Sequence, residues 1–162
     1  MTAMLEPAPL TADAFAPFGQ VIAPDEGDSY PINGGLTRRV HALATPEMHG
    51  GAAVISIFRG TRWPQPLRIQ MLERHPYGTQ ALIPMERHPW LVVVAEQPKP
   101  EACRAFLARG DQGIQLAAGI WHHPLLVFQP LHDFLVVDRS QPEGNLEEVH
   151  FDPGTGPELA PV

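Results

Sequence analysis

The chain has 162 residues, 18 of them acidic against 11 basic, for a formal net charge of −7. It is therefore long enough to bury a core without crosslinks, and it carries no basic stripe of the kind a nucleic-acid backbone demands. The single cysteine, Cys103, excludes a disulfide within the chain and fits a reducing compartment, with the cytoplasm as the expectation; no apolar run reaches the length of a membrane span, and Met1 to Glu6 has no signal-peptide pattern.

In chain order, Thr11 is placed to N-cap a short helix through Phe15, with Leu10 before it and Pro17 to Gly19 closing it. The segment 25–35, holding Gly27, Pro31, Asn33, Gly34 and Gly35, reads as a long irregular loop. Strands follow over 52–58, 67–72, 80–83, 90–95, 125–128 and 133–137, each short, rich in β-branched or aromatic residues and bounded by Pro or Gly. Between them 101–109 reads as a helix, with Pro100 at its start and Gly110 at its end. Residues 154–162 read as a loose tail on a single domain covering the whole chain. Strands without alternating helices imply an all-β antiparallel sandwich or barrel with one or two short helices.

Two segments concentrate chemistry, Leu72-Glu73-Arg74-His75-Pro76-Tyr77-Gly78-Thr79-Gln80 and Ala118-Gly119-Ile120-Trp121-His122-His123-Pro124-Leu125. Each ends an apolar run, where strands hand over to turns, and polar groups converging in the mouth of a barrel are where small molecules bind. Strand alternation puts Glu73 and His75 on one face. The plain alternative is that His75, before Pro76, and His122, two residues before Pro124, are solvated or backbone-bonded turn histidines, and that Gln80 merely begins a strand. By the same alternation His123 points away from His122 and is structural, Trp121 is read as core before ligand shelf, and Cys103 as core within the helix. A site for an anion on an acidic protein needs a local guanidinium, for which Arg59 and Arg74 are the candidates, the plain alternative being that both are surface ion-pair partners. Asp138-Arg139 reads as a salt-bridged corner.

Leu72-Glu73-Arg74-His75-Pro76, Gln80-Ala81-Leu82-Ile83-Pro84-Met85, Gly119 to Leu125 and Asp133 to Arg139 resemble the ureidoglycolate lyase family, formerly called ureidoglycolate hydrolase, of allantoin degradation. The likeness extends from Leu10-Thr11 through Ile32-Asn33-Gly34-Gly35-Leu36 to Glu148; the chain departs from the family pattern at Asn33-Gly34-Gly35, where two asparagines precede the glycine, and at His41-Ala42, where His-Asp is usual. The resemblance implies a cupin-like β-barrel (a double-stranded β-helix), a homodimer, and cleavage of (S)-ureidoglycolate to glyoxylate and urea. Set against cupin metal sites, Glu73, His75, Gln80 and His122 are the corresponding positions, with Glu for one histidine and Gln for the carboxylate. They can hold a divalent ion such as nickel, zinc or manganese, and no organic cofactor is implied. The catalytic candidates are then His122 or Glu73 as base and His75 as acid, with Arg59, Arg74, Gln80, Trp121 and Asn33 binding substrate. Two other readings remain, a non-catalytic small-acid sensor on the same barrel and a metal-dependent cupin isomerase or dioxygenase. Small ureido acids are the expected ligands, with neither nucleic acid nor membrane as partner.

Overall fold

The computed structural model describes residues 3–140 and 143–162. Short strands Met4–Leu5 (β1) and Ala8–Pro9 (β2) precede a helical turn, Ala12–Phe15 (α1). Thr11 caps α1 as its sequence suggests, its hydroxyl accepting the Ala14 N–H at 3.2 Å. Then come Gly19–Ile22 (β3), Ser29–Ile32 (β4), Thr37–Val40 (β5), Ala53–Gly60 (β6), Met71–Arg74 (β7), Gln80–Pro84 (β8) and Trp90–Ala95 (β9). The second half holds Arg104–Ala108 (β10), Gly113–Leu116 (β11), Trp121–His122 (β12), Leu126–Val127 (β13), His132–Arg139 (β14), Glu147–His150 (β15) and Glu158–Leu159 (β16).

Twelve of these strands form two facing sheets, and β1–β16 and β4–β5 are separate pairs, a cupin-like β fold with only short helices. One sheet runs β3-β11-β8-β14-β6, and the other runs β15-β7-β12-β9-β10-β2 with β13 also beside β9. Pairing within them is antiparallel except for β2 on β10. Side chains alternate along each strand, so the second sheet feeds two apolar layers. Val92, Val94 and Phe106 meet Leu82, Phe134 and Val136 of the opposite sheet in the interior. Leu91, Val93, Ala105 and Trp121 face outward and are covered by Leu67, Ile69 and Leu159. Because β9 is buried on both faces, its sequence is a continuous apolar run.

Four expectations are corrected. The helix over 101–109 is instead a 3₁₀ turn at Pro100–Ala102 followed by β10, whose Arg104 to Ala108 pair with Val94 to Trp90; pairing and burial override local helix propensity. The loop over 25–35 contains a hairpin strand, β4, paired with β5 around a 3₁₀ turn at Asn33–Gly35. Gly34 and Gly35, at φ 67° and 87°, turn that hairpin in the left-handed region that suits glycine. The strand over 67–72 starts later, at Met71, since Leu67 and Ile69 instead lie over the outer face of the sheet. The C-terminal segment is not loose: β16 pairs with β1, Leu159 N–H bonds the Leu67 carbonyl at 2.8 Å, and Leu159 and Ala160 are buried.

That last contact is measurable. Leu159→Ala should cost about 2 kcal/mol in denaturant unfolding, the lower end for a buried leucine, whereas a loose tail would give a change near zero.

Candidate active site

The site is built by one cross-strand pairing. His122 of β12 lies directly opposite Glu73 of β7, and alternation carries His75, two residues on, to the same side. The His122 Nε2 stands 3.5 Å from a Glu73 carboxylate oxygen, and the His75 and His122 ring centroids are 5.2 Å apart. Each ring is locked through its other nitrogen: Nδ1–H of His75 donates to the Asn145 carbonyl at 2.9 Å, and Nδ1–H of His122 to the Ile120 carbonyl at 3.0 Å. A carbonyl can only accept, so this bonding leaves both neutral rings with a bare lone pair on Nε2. Those two Nε2 atoms are buried and form no hydrogen bond. Asn145 also fixes the turn after His75, its side-chain oxygen accepting the Tyr77 N–H at 2.7 Å.

The pairing opens on a cavity of about 700 Å³ between the sheets. Glu73, Gln80, His122 and His123 form its polar part, Leu82, Trp90 and Ile114 contribute to its apolar wall, and Arg59 and Arg62 stand at its β6 side. Gln80 enters from the opposite sheet, its amide donating to Asp138 at 3.2 Å, which turns its carbonyl oxygen free for another partner. Glu73, His75 and His122 together present one ligand atom each, all within 4.8 Å of one another. Two locked imidazoles with bare nitrogens beside a carboxylate are a donor set that fits a divalent transition ion, and the backbone carbonyls behind them are the outer partners such ligands need.

Other candidates are placed elsewhere. Arg74 and Trp121 project to the far face of the sheet, where the guanidinium lies 4.7 Å over the indole and bonds Glu147 at 2.7 Å; neither lines the cavity. The alternation that brings Glu73 and His122 inward necessarily turns their neighbours outward. Asn33 is exposed at the tip of the β4–β5 hairpin, its amide on Thr37. Arg59 does line the cavity and is held by Asp133 through two bonds of 2.9 Å. His123 is not outward: it is buried, its N–H bonds the Val93 carbonyl, its Nδ1–H donates to the Pro124 carbonyl at 2.9 Å, and its ring stands edge-on to Trp63 at 4.8 Å. The strand ends at His122, so alternation does not govern the His123 ring. Arg62 and Trp63 were not singled out by sequence, although a cation and an aromatic at the end of an apolar run are the visible signal.

The family model described as ureidoglycolate lyase matches residues 2–157. This chain belongs to the ureidoglycolate lyase family. Proteins named ureidoglycolate lyase from Brucella melitensis biotype 2, Agrobacterium fabrum and Pseudomonas paraeruginosa are 52%, 47% and 51% identical to it, covering 88%, 94% and 88% of this chain and 87%, 94% and 87% of their own lengths.

In this family member the site electrostatics are set by burial and by the pairing. Burial pushes the His75 ring below its ordinary value of 6.5, and the neighbouring His122 pushes it the same way; burial likewise lowers His123. Burial alone would raise the Glu73 carboxyl, but the His122 ring, with His75 and His123, outweighs it and holds Glu73 below its ordinary value of 4.5. Burial thus favours the neutral forms of His75 and His123 beside a Glu73 held toward its ionised form.

This has a stability consequence with a definite sign. A histidine whose folded value is depressed takes up its proton more readily when unfolded, so the stability it contributes is present above about 6.5 and is lost as pH falls through that value toward the folded one. Tm should therefore fall as pH drops from about 7 to about 5.5, and His75→Gln should show a shallower fall over that window; an unchanged slope in the variant would remove His75 from the account.

Proposed function

We propose that the chain cleaves (S)-ureidoglycolate to glyoxylate and urea, as a carbon–nitrogen lyase. The observation that carries this reading is the bare Nε2 of His122, buried in the cavity beside an ionised Glu73, in a member of this family. Ureidoglycolate carries a hydroxyl and a ureido nitrogen on the carbon next to its carboxylate. The hydroxyl loses its proton, the carbonyl of glyoxylate forms, the C–N bond breaks with its electron pair on nitrogen, and that nitrogen gains a proton. No water is consumed.

His122 Nε2 is the acceptor for the hydroxyl proton, because its Nδ1 is already spent on the Ile120 carbonyl. Glu73 then faces an imidazolium instead of a neutral ring, which favours the transfer. The same imidazolium returns the proton to the departing nitrogen, so one ring serves as base and then acid, each transfer typically worth 10² to 10⁴. His75 is a second lone pair in reserve and no proton donor in its neutral form, since its donor is fixed on Asn145; the acid role expected of it passes to His122. Gln80 directs its amide oxygen toward substrate donors, and Arg59 orients the carboxylate.

Glu73, His75 and His122, with the Gln80 oxygen, are also the residues that would hold a divalent ion, nickel, zinc and manganese being the candidates; when bound, such an ion supplies Lewis acidity that eases loss of the hydroxyl proton. Burial of the Cys103 thiol, with Glu101 nearby, pushes it up to about 11, an inert thiol that accords with a cytoplasmic location. We infer a C₂ homodimer as the working form, the commonest soluble assembly, supported by the exposed Ile55 and Ile57 on β6.

The test is glyoxylate release from each enantiomer of ureidoglycolate, with and without chelator. Turnover of the (S) form is expected, and binding without turnover would leave a sensor. His122→Ala should lower kcat by at least about 10² without unfolding the chain. Arg59→Ala should mainly raise KM, because the substrate carboxylate is charged in ground and transition states alike. If His122→Ala keeps near wild-type kcat, the proton path described here is wrong.

A further inference from the structure

The proton path uses His122 and leaves its neighbour without a role. His123 is only 7% exposed, lines the same cavity as Glu73 and His122, and stands outside the cluster of Glu73, His75 and His122. A buried polar atom is costly unless it is paired, yet only one nitrogen of this ring is. Its Nδ1–H donates to the Pro124 carbonyl at 2.9 Å, and no hydrogen bond reaches Nε2 among the described residues. A carbonyl can only accept, so the neutral ring carries its proton on Nδ1 and a lone pair on Nε2.

The surroundings hold the ring without satisfying that lone pair. The His123 backbone N–H bonds the Val93 carbonyl at 2.9 Å, so β9 fixes the main chain just past the end of β12. Trp63 stands edge-on to the ring at 4.8 Å, but its indole N–H is already taken by the Leu125 carbonyl at 2.8 Å and has no proton to offer. Packing alone would be served as well by phenylalanine, which buries no acceptor. A histidine with a spare lone pair is the costlier choice here unless something else donates to it.

The ureido acid supplies that donor. Its hydroxyl lies toward His122 and its carboxylate is drawn to the side of Arg59 and Arg62, which leaves the ureido arm, ending in an amino group that donates two N–H bonds and departs as part of urea. Gln80 and His123 are the polar cavity residues left for this arm, and of the two only His123 stands outside the set that would hold a metal ion. We propose that His123 is the specificity residue for the leaving group: its Nε2 accepts an N–H from the terminal amino group of the ureido arm, so that the site selects a ureido acid over an N-acyl acid of the same shape. This role rests on the ureido-acid reading of the cavity given above. A site built to bond a donor rejects the analogue that lacks it, because its own buried acceptor is then left unpaired.

The experiment uses two pairs of ligands in which a methyl group replaces the terminal amino group. (S)-Ureidoglycolate and (S)-N-acetyl-α-hydroxyglycine can each release glyoxylate, with urea or acetamide departing; N-carbamoylglycine and N-acetylglycine lack the hydroxyl and bind without reacting. The wild-type chain should favour the ureido member by at least about 10² in kcat/KM and by at least about tenfold in calorimetric Kd. His123→Phe keeps an aromatic ring beside Trp63 and removes the acceptor, so both preferences should shrink to within about threefold, and His123→Gln, which restores an acceptor, should recover part of them. A purely structural His123 would weaken both members of each pair together and leave the ratios as they were. Unchanged ratios in His123→Phe, or a wild-type chain without a preference, overturn the proposal. Folding is checked by circular dichroism, and if the phenylalanine variant unfolds, His123→Met makes the same deletion with a flexible side chain and is read in the same way. A preference for N-carbamoylglycine that the variant loses, in a chain that turns over neither substrate, keeps the role of His123 and removes the lyase; turnover of ureidoglycolate with unchanged ratios does the reverse.

Discussion

The register that sets His122 opposite Glu73 is the constraint on which the rest of the site depends. Side-chain direction in a strand has a period of two, so a slip of one residue would exchange the whole inward set for the outward one. It would put Trp121 and Arg74 in the cavity and Glu73 and His122 in the apolar outer layer. The outer layer prevents this slip. Leu72 and Trp121 are buried there, and moving them inward would bring Glu73 and His122 under Leu67 and Ile69 with no polar partner. Burying an unpaired carboxylate costs far more than either hydrophobic contact returns. The register of the site is thus held by apolar residues on the outer face of the sheet.

This explains a feature of the fold that a simple barrel would not need. The second sheet carries apolar cover on its outer side, supplied by the segment around Leu67 and Ile69 and by β16 pairing with β1. The closeness is such that a Cβ on Gly156 would fall on the Ile69 carbonyl oxygen, so the C-terminal segment is fitted to this layer. The first sheet has no equivalent cover along β6, where Ile55 and Ile57 remain exposed. One side of the molecule is finished within the chain and the other is left open, an asymmetry that assigns the two sheets different work. The covered sheet positions the imidazoles; the open one forms the side by which the cavity meets its surroundings.

Much of this was legible from residues. β9 could be read because Trp90 to Ala95 is buried on both faces and so is apolar throughout, and β14 because its alternation places Phe134 and Val136 inward. Pairing of Glu73 with His75 on one face followed from the period of two alone. β10 was misread because Arg104-Ala105-Phe106-Leu107-Ala108 is made of residues equally at home in a helix, and Pro100 and Gly110 stand where helix ends belong; only the partner strand, invisible in a linear reading, decides. His123 is misplaced by the alternation because β12 ends at His122, one residue before it. Leu159 and Ala160 read as tail because two apolar residues among prolines and glycines give no periodicity, although their burial is nearly complete. Arg74 is plausible as a clamp by composition, but the alternation that turns Glu73 toward the cavity turns Arg74 to the far face.

The charge state of the pocket closes the account of why guanidinium groups stand at its edge. With Glu73 held toward its ionised form, the polar end of the cavity carries a carboxylate. A second carboxylate brought beside it would be repelled, more strongly as water leaves the pocket. Arg59 cannot answer this alone, because Asp133 already takes both arms of its fork; the pair is nearly neutral and mainly fixes the guanidinium in place. Arg62, anchored through Nε to the Phe128 carbonyl at 2.6 Å, adds a charge with no acid bound to it among the described residues. A carboxylate entering the cavity would therefore be drawn to its β6 side, away from Glu73, because that is where the pocket tolerates a negative charge.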